Sequence, residues 1–301
     1  MAMKTIREEP FGNVRLRILE KGDAYVGIVI SKGKISDPIE GDDPDELWAQ
    51  LRRSAGTHEA GYVGYDGAKA RFLKHYPAGF SDPEYFESKT LGERNYKLAA
   101  AEKLRATLPL EAAIDAQDAG EVALAAFRAT NLVSPFEQTR LQAALRGPNA
   151  DDFVRGAAAF TMGNIKTGLA RMARALKPDD VAKWPAVTYL PYLWRPEEHM
   201  FLKPEATKEF APRVGHPFAH EYTSELTEET YRSLLDLARE TGEKIADLEP
   251  RDNIDIQSFI WVVGKYTDTN KFVWEAGDLD FSAGNDPDED KSSDTPEPPQ
   301  D

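Results

Sequence analysis

The stretch from 13 to 51, NVRLRILEKGDAYVGIVISKGKISDPIEGDDPDELWAQL, decides the fold class of the N-terminal part of the chain. Apolar and basic residues alternate from Val14 to Ile18, which is the pattern of a strand with one buried face. Residues 24–31 are a second and more apolar segment, and a third, short extended segment ends near Ile39. Glycine-containing turns separate these segments, so the sequence predicts an antiparallel β-meander.

A helix is predicted directly after the meander. Residues 42–46 (DDPDE) supply an N-cap, a proline suited to the first helical turn and negative charge for the positive end of the helix. Leu47, Trp48 and Leu51 then form an apolar stripe, and the helix should end near Ser54. This order of strands and a GDDPDELW helix resembles the small ββα units of HicB-type antitoxins over residues 13–55. The resemblance implies a compact ββα unit at this end of the chain.

The pattern becomes helical from residue 92 onwards. A capping box with proline at the first helical position, Ser134-Pro135-Phe136-Glu137, opens one helix. The alanine-rich stretch 151–176 should split near Gly163 into two close-packed helices. The sequence therefore predicts an α+β protein with a small α+β domain at 1–90, a mostly helical domain at 91–275 and a disordered acidic tail at 276–301.

Composition limits the possible chemistry. The formal net charge is −15, and residues 276–301 hold nine acidic side chains against one lysine. Such a charge gives no overall attraction for nucleic acid, although a local basic face remains possible. The chain has no cysteine, which excludes disulfides, thiol catalysis and cysteine-bound zinc. Without an apolar targeting segment or membrane span in the sequence, we expect a cytoplasmic protein.

Residues 184–203, WPAVTYLPYLWRPEEHMFLK, are rich in aromatic side chains and proline. The prolines predict an extended or turn-rich segment. One interpretation is a binding platform in which rings stack on a base or ring while cations contact an anion. The alternative is a buried connection between helical layers. The candidate binding residues of this segment are Trp184, Tyr189, Tyr192, Trp194, Arg195, His199 and Lys203.

A second candidate surface is a basic helix predicted at 67–75. It carries Lys69, Arg71 and Lys74, and further basic residues follow downstream, among them Arg94 and Lys97. These side chains could face phosphates of a nucleic acid or bind a protein partner. The alternative is a solvated helix face balanced by neighbouring glutamates.

Two further groups of residues suggest a metal site and a carboxylate site. His216 and His220 are four residues apart with Glu221 beside them, but Pro217 and the missing third ligand favour an ordinary helix entrance, and no cofactor is predicted. The group Asp252, Asp255 and Gln257 resembles elements of PD-(D/E)xK nucleases, although its spacing differs. The alternative makes Asp252 a helix cap and Gln257 an internal hydrogen-bonding residue.

These patterns favour a non-enzymatic binding or regulatory protein. Residues 184–266 resemble uncharacterised bacterial proteins and helical modules found beside restriction-type ATPases, which implies a nucleic-acid-associated or defence-related role. Two alternatives remain open at this point. One is a metal-dependent nuclease or other hydrolase that uses the carboxylates, and the other is a small-molecule sensor with an aromatic pocket.

Overall fold

The protein is α+β, as the sequence predicts. The computed structural model describes residues 3–11, 14–22, 24–31, 34–56, 61–86 and 92–266. The acidic tail predicted at 276–301 lies outside the described residues.

Five strands form one antiparallel sheet at the N-terminal end, which confirms the predicted meander. The strands are β1 (Lys4–Phe11), β2 (Val14–Lys21), β3 (Ala24–Ser31), β4 (Lys34–Ile35) and β5 (Ile39–Gly41). Their order is β1-β2-β3-β4, with β5 also paired to β3. The third extended segment predicted from sequence is therefore divided into two short strands that pair with different parts of β3.

Helix α1 (Pro44–Gly56) packs on one face of this sheet. Asp43 caps it by accepting hydrogen bonds from the N–H groups of Asp45 and Glu46 at 2.8 and 2.9 Å. The close approach depends on Gly27 of β3, since a Cβ at that position would lie 2.7 Å from Leu51 Cδ1. The sheet and α1 share a small core made of Val14, Leu16, Ile18, Val29, Leu47, Trp48, Leu51 and Ala55. We call residues 3–56 the sheet module.

The rest of the described chain is helical and shares one large core, and we call residues 61–266 the helical body. Its helices are α2 (Gly64–His75), α3 (Pro83–Phe86), α4 (Asn95–Thr107), α5 (Leu110–Ala113), α6 (Gly120–Arg128), α7 (Pro135–Arg146), α8 (Ala150–Thr161), α9 (Ile165–Leu176), α10 (Trp184–Trp194), α11 (Pro204–Val214), α12 (Phe218–Glu221), α13 (Glu228–Lys244) and α14 (Asn253–Lys265). Because α2 contributes Ala68 and Phe72 to this core, the two cores divide before residue 68, earlier than the boundary at 90 proposed from sequence.

Local sequence signals set several of these helix ends. Ser134 and Glu137 form the predicted reciprocal capping box at the start of α7. Helices α8 and α9 separate around Gly163, which adopts a positive φ of 94°, as the alanine-rich stretch predicts. They pack closely because Gly168 lacks a side chain, and a Cβ there would lie 2.6 Å from Phe160 Cβ.

Residues 184–194 correct one sequence prediction. The stretch 184–203 is predicted to be extended or turn-rich, but its first part forms helix α10, and every residue of that helix is buried. Residues 195–203 form turns and irregular chain, as the sequence predicts. Pro185 lies in the first turn, where its missing N–H removes no helical hydrogen bond, and Pro191 is accommodated inside the helix. Burial of a continuous aromatic and aliphatic surface therefore outweighs the helix-breaking tendency of these prolines.

Candidate functional site

The carboxylates singled out from sequence belong to a buried polar network between α4 and α14. Asp255 is fully buried and accepts hydrogen bonds from Tyr85, from Arg94 at 2.9 Å, and from both the backbone and Nε of Arg251. Asp252 receives two hydrogen bonds of 2.8 Å from Arg94, in a bidentate arrangement. It also caps α14 by accepting from the Ile254 N–H, as the alternative interpretation predicts.

A buried lysine extends the network. Lys97 is fully buried and donates to Glu93 at 3.0 Å, to Gln257 at 2.7 Å and to Ser258 at 2.9 Å. Tyr266 also donates to Glu93. Gln257 is thus an internal hydrogen-bonding residue, as the second interpretation expects. The network fixes α4 against α14 through groups that are paired with one another.

Charge pairing determines the ionisation of this network. Burial is the largest single effect and raises the pKa of Asp252, but the hydrogen bonds and charge of Arg94, together with backbone N–H groups at the start of α14, outweigh it and lower the pKa. Burial lowers the pKa of Lys97, against the opposing effect of Glu93. Because Asp252 and Asp255 are bonded to arginines and Asp255 has no exposed surface, neither carboxylate is presented to solvent as a metal-binding group.

The rings of the aromatic segment lie in the core of the helical body. Trp184, Tyr189, Tyr192 and Trp194 are each at most 3% exposed, so their faces are not available as a surface platform. Tyr189 stacks on Phe127 with ring centroids 4.3 Å apart. The buried connection between helical layers is the arrangement that the structure adopts.

The polar residues of the same segment are also engaged. Arg195 pairs with Glu198 at 3.3 Å. His199 is buried between Tyr231 and the Thr161 carbonyl, at 3.1 and 3.0 Å, and burial lowers its pKa. Lys203 donates to the Leu132 carbonyl at 2.8 Å. These residues do not converge on a common exposed site.

The predicted basic surface is only partly exposed. Lys69 bonds to Asp247 at 3.2 Å, and Arg71 donates to the Tyr266 carbonyl. Lys74 is exposed on α2. Arg94 and Lys97, which sequence placed in the same basic stretch, are instead buried in the polar network. The basic side chains thus divide between surface pairs and the interior.

The two histidines considered as metal ligands do not face each other. His216 is buried, with Nδ1 accepting from the Phe218 N–H at 3.1 Å and Nε2 lying 3.3 Å from Asp236. His220 is exposed and its ring contacts Phe11, with centroids 4.5 Å apart. Glu221 pairs with Arg52. Within the described ranges, no three histidine or carboxylate side chains are placed to hold a metal ion.

His220 and Glu221 instead line a cleft where the sheet module meets the helical body. One part, of about 540 Å³, lies between α1 and α13 and includes Arg52, Glu229, Ser233 and Asp236. The adjoining part, of about 510 Å³, lies beside β1 and is lined by residues that include Arg7, Glu9, Phe11, Trp48 and His220. Arg52 and Glu221 line both parts. We call these two parts together the junction cleft.

An ion pair crosses the junction cleft. Arg52 of α1 pairs with Glu221 of α12, and Ser233 of α13 donates a hydrogen bond to the other carboxylate oxygen of Glu221. Burial, followed by repulsion from Arg7, lowers the pKa of Arg52. On the α13 side, the hydrogen bonds from His216 and then Arg239 lower the pKa of Asp236. The junction cleft therefore brings positive and negative groups close together at a partly desolvated boundary.

Aromatic rings form the floor of the part beside β1. The Arg7 guanidinium lies 4.1 Å from the centroid of the Trp48 ring, and the Arg52 guanidinium lies 5.6 Å from that of Phe11. Both distances fall within the range of cation–π contacts. Sequence reasoning identified Trp48 only as a core residue and did not identify Arg7, Arg52 or Ser233. Their meeting depends on contacts between distant parts of the chain.

Comparisons with known proteins give no relative for this arrangement. No family model, curated protein or solved structure matches the chain. The resemblance of residues 13–55 to HicB-type antitoxins consequently stays a prediction, as does that of residues 184–266. In the described part of the chain, no helix combines the length and apolar character needed to cross a membrane.

Proposed function

We propose that this chain is a non-enzymatic binding and regulatory protein whose ligand occupies the junction cleft. The observation that carries the proposal is the Arg52–Glu221 ion pair, which lines both parts of the junction cleft and joins the sheet module to the helical body. Ligand pockets occur preferentially at boundaries between structural units, and volumes of 300–1,000 Å³ are typical of them.

The proposed regulation follows from the position of the ligand. A ligand that bonds to Arg52 or Glu221 competes with the pair that joins the two units. Binding then changes the free energy of the contact between sheet module and helical body, which is the requirement for coupling a ligand to a conformational change. In this view the polar network is a rigid support that holds α14 and α4 while the sheet module responds.

The carboxylates give less support to a nuclease. A metal-dependent nuclease would need carboxylates that share a metal ion at an accessible position. Asp255 is fully buried, and arginines already bind both Asp255 and Asp252. The nucleic-acid-associated or defence-related role remains a prediction that rests on the resemblance of residues 184–266.

A ligand screen by thermal unfolding tests the proposal. The wild-type chain is compared with Arg52→Gln over amino acids and peptides, nucleotides and oligonucleotides, sugars, and phosphorylated or carboxylic metabolites. A cleft ligand present at 100 times its Kd should stabilise the wild type by about 2.7 kcal/mol. It should stabilise Arg52→Gln much less.

Arg15→Gln is the matched control, because Arg15 also pairs with a glutamate, Glu8, but does not line the junction cleft. It should respond to the ligand as the wild type does. The proposal is contradicted if every stabilising compound acts equally on all three proteins, or if a compound is consumed in a reaction that needs Asp255.

A further inference from the structure

The part of the junction cleft beside β1 combines three kinds of groups within about 510 Å³. Arg7 and Arg52 supply guanidinium groups, Glu9 and Glu221 supply carboxylates, and Phe11 with Trp48 supplies an aromatic floor. A site that offers both charges and an apolar surface is complementary to a ligand that carries both charges and an apolar side chain.

Some donors and acceptors at this site remain available among the described residues. Arg7 contacts Glu9 through Nε at 3.0 Å and Asp45 through Nη1 at 3.7 Å, which leaves Nη2 for an incoming anion. Glu9 uses Oε1 for Arg7, which leaves Oε2 for an incoming cation. Both side chains are about half exposed, at 40% and 54%, so a ligand can reach them from solvent.

The aromatic floor holds the guanidinium groups in place. Arg7 lies over Trp48 and Arg52 lies near the ring of Phe11. A guanidinium offers several N–H donors in a planar fork, which suits the two oxygens of a carboxylate. The proximity of the two cations is itself unfavourable, and an anion between them would reduce that repulsion.

We propose that the junction cleft binds an amino acid or short peptide in zwitterionic form. Its carboxylate bonds to Arg7 and Arg52, its ammonium group bonds to Glu9 and Glu221, and its apolar side chain packs beside the partly exposed Phe11. The inference rests on the proposed function, because it names the ligand class for the same cleft.

Calorimetric titration of the full chain tests the ligand class. The probes are L-phenylalanine and glycyl-L-phenylalanine, which carry both charges, and phenylacetate, phenethylamine and N-acetyl-L-phenylalanine amide, which lack one or both. Charge-assisted hydrogen bonds give the zwitterions an expected advantage of roughly 10-fold or more over each single-charge analogue. The capped amide should bind more weakly still.

Variants assign the binding to this site. Glu9→Gln should weaken zwitterion binding by roughly 10-fold without weakening phenylacetate binding, and Arg52→Gln should weaken both. Glu9 is not part of the Arg52–Glu221 ion pair. Glu9→Gln therefore tests ligand binding without breaking the ion pair that joins the sheet module to the helical body. Arg15→Gln should leave all affinities unchanged.

The outcomes separate this inference from the proposed function. Absence of zwitterion binding at millimolar concentration overturns the inference, and so does binding that Glu9→Gln and Arg52→Gln leave unaltered. If the thermal screen then finds an Arg52-dependent ligand of another class, the junction cleft remains the site and only the ligand class is wrong. If neither experiment finds an Arg52-dependent ligand, both proposals fail.

Discussion

Replacement of Asp255 by asparagine should destabilise the helical body strongly. Asp255 is fully buried and accepts hydrogen bonds from Tyr85, Arg94 and Arg251. Asparagine removes the negative charge and places an NH₂ donor where one carboxylate oxygen accepted. The guanidinium of Arg94 would then pair with Asp252 alone, and part of its buried positive charge would be left uncompensated.

The expected loss is about 3–5 kcal/mol in the free energy of unfolding, which is typical when one partner of a buried ion pair is removed. For a unit of 150–250 residues, each kcal/mol lowers Tm by about 2–4 °C, so Asp255→Asn should lower Tm by roughly 6–20 °C. Thermal unfolding followed by circular dichroism at 222 nm measures this change in the helices.

Asp152→Asn is the matched control. It makes the same chemical change in a carboxylate that pairs with Arg171 at 2.7 Å, but the Asp152 side chain is 53% exposed. Exposed pairs contribute at most about 1 kcal/mol. A Tm for Asp255→Asn within the range of this control would refute the view that the buried network holds α4 and α14 together.

Four further substitutions test other parts of the fold. Ser134→Ala removes the N-cap of α7 and should cost about 1 kcal/mol in urea unfolding, whereas an unchanged midpoint would contradict the capping role. Gly168→Ala should destabilise the α8–α9 contact by about 1–3 kcal/mol, while Gly242→Ala, whose new Cβ meets only Ile256 Cδ1 at 3.6 Å, should stabilise α13 by about 0.5–1 kcal/mol. Equal effects of these two alanines in thermal unfolding would contradict the packing argument. The lowered pKa of Asp252 means that its ionised form stabilises the fold above about pH 3.9 and that this contribution is lost as pH falls through the folded pKa. Unfolding measured from pH 5 to pH 2 should therefore show a weaker acid dependence for Asp252→Asn than for the wild type, and identical slopes would contradict the Arg94 pairing.

Local signals in the sequence were sufficient for much of the fold. The alternation from Val14 to Ile18 predicts β2, and the acidic stretch before Leu47 predicts α1, because each depends on neighbouring residues. The capping residues of α7 and the separation of α8 from α9 follow for the same reason. The prediction for residues 184–194 was wrong because burial in the tertiary structure decides their helical conformation. That burial outweighs the local effect of two prolines.

The candidate site depended on contacts that no local pattern encodes. Asp252 and Gln257 were recognisable as a cap and an internal hydrogen-bonding residue, but their partners Arg94 and Lys97 looked like surface cations. Arg52 meets Glu221 only because the fold brings α1 and β1 next to α12, which is distant in sequence. An amphipathic pattern shows which face of a helix is buried, and it does not show which distant segment covers the remaining face.

A distance measurement between the two units tests the junction cleft most directly. Because the chain has no cysteine, nitroxide labels attach only at cysteines that are introduced. The labelled protein is the double variant Glu20→Cys/Lys166→Cys, with one label on each unit. Double electron–electron resonance should give a single narrow distance in this background, a broader distribution when Glu221→Gln removes the ion pair, and a shift when an Arg52-dependent ligand from the thermal screen is added. The same distribution in all three samples would contradict the claim that the junction cleft couples a ligand to the contact between sheet module and helical body.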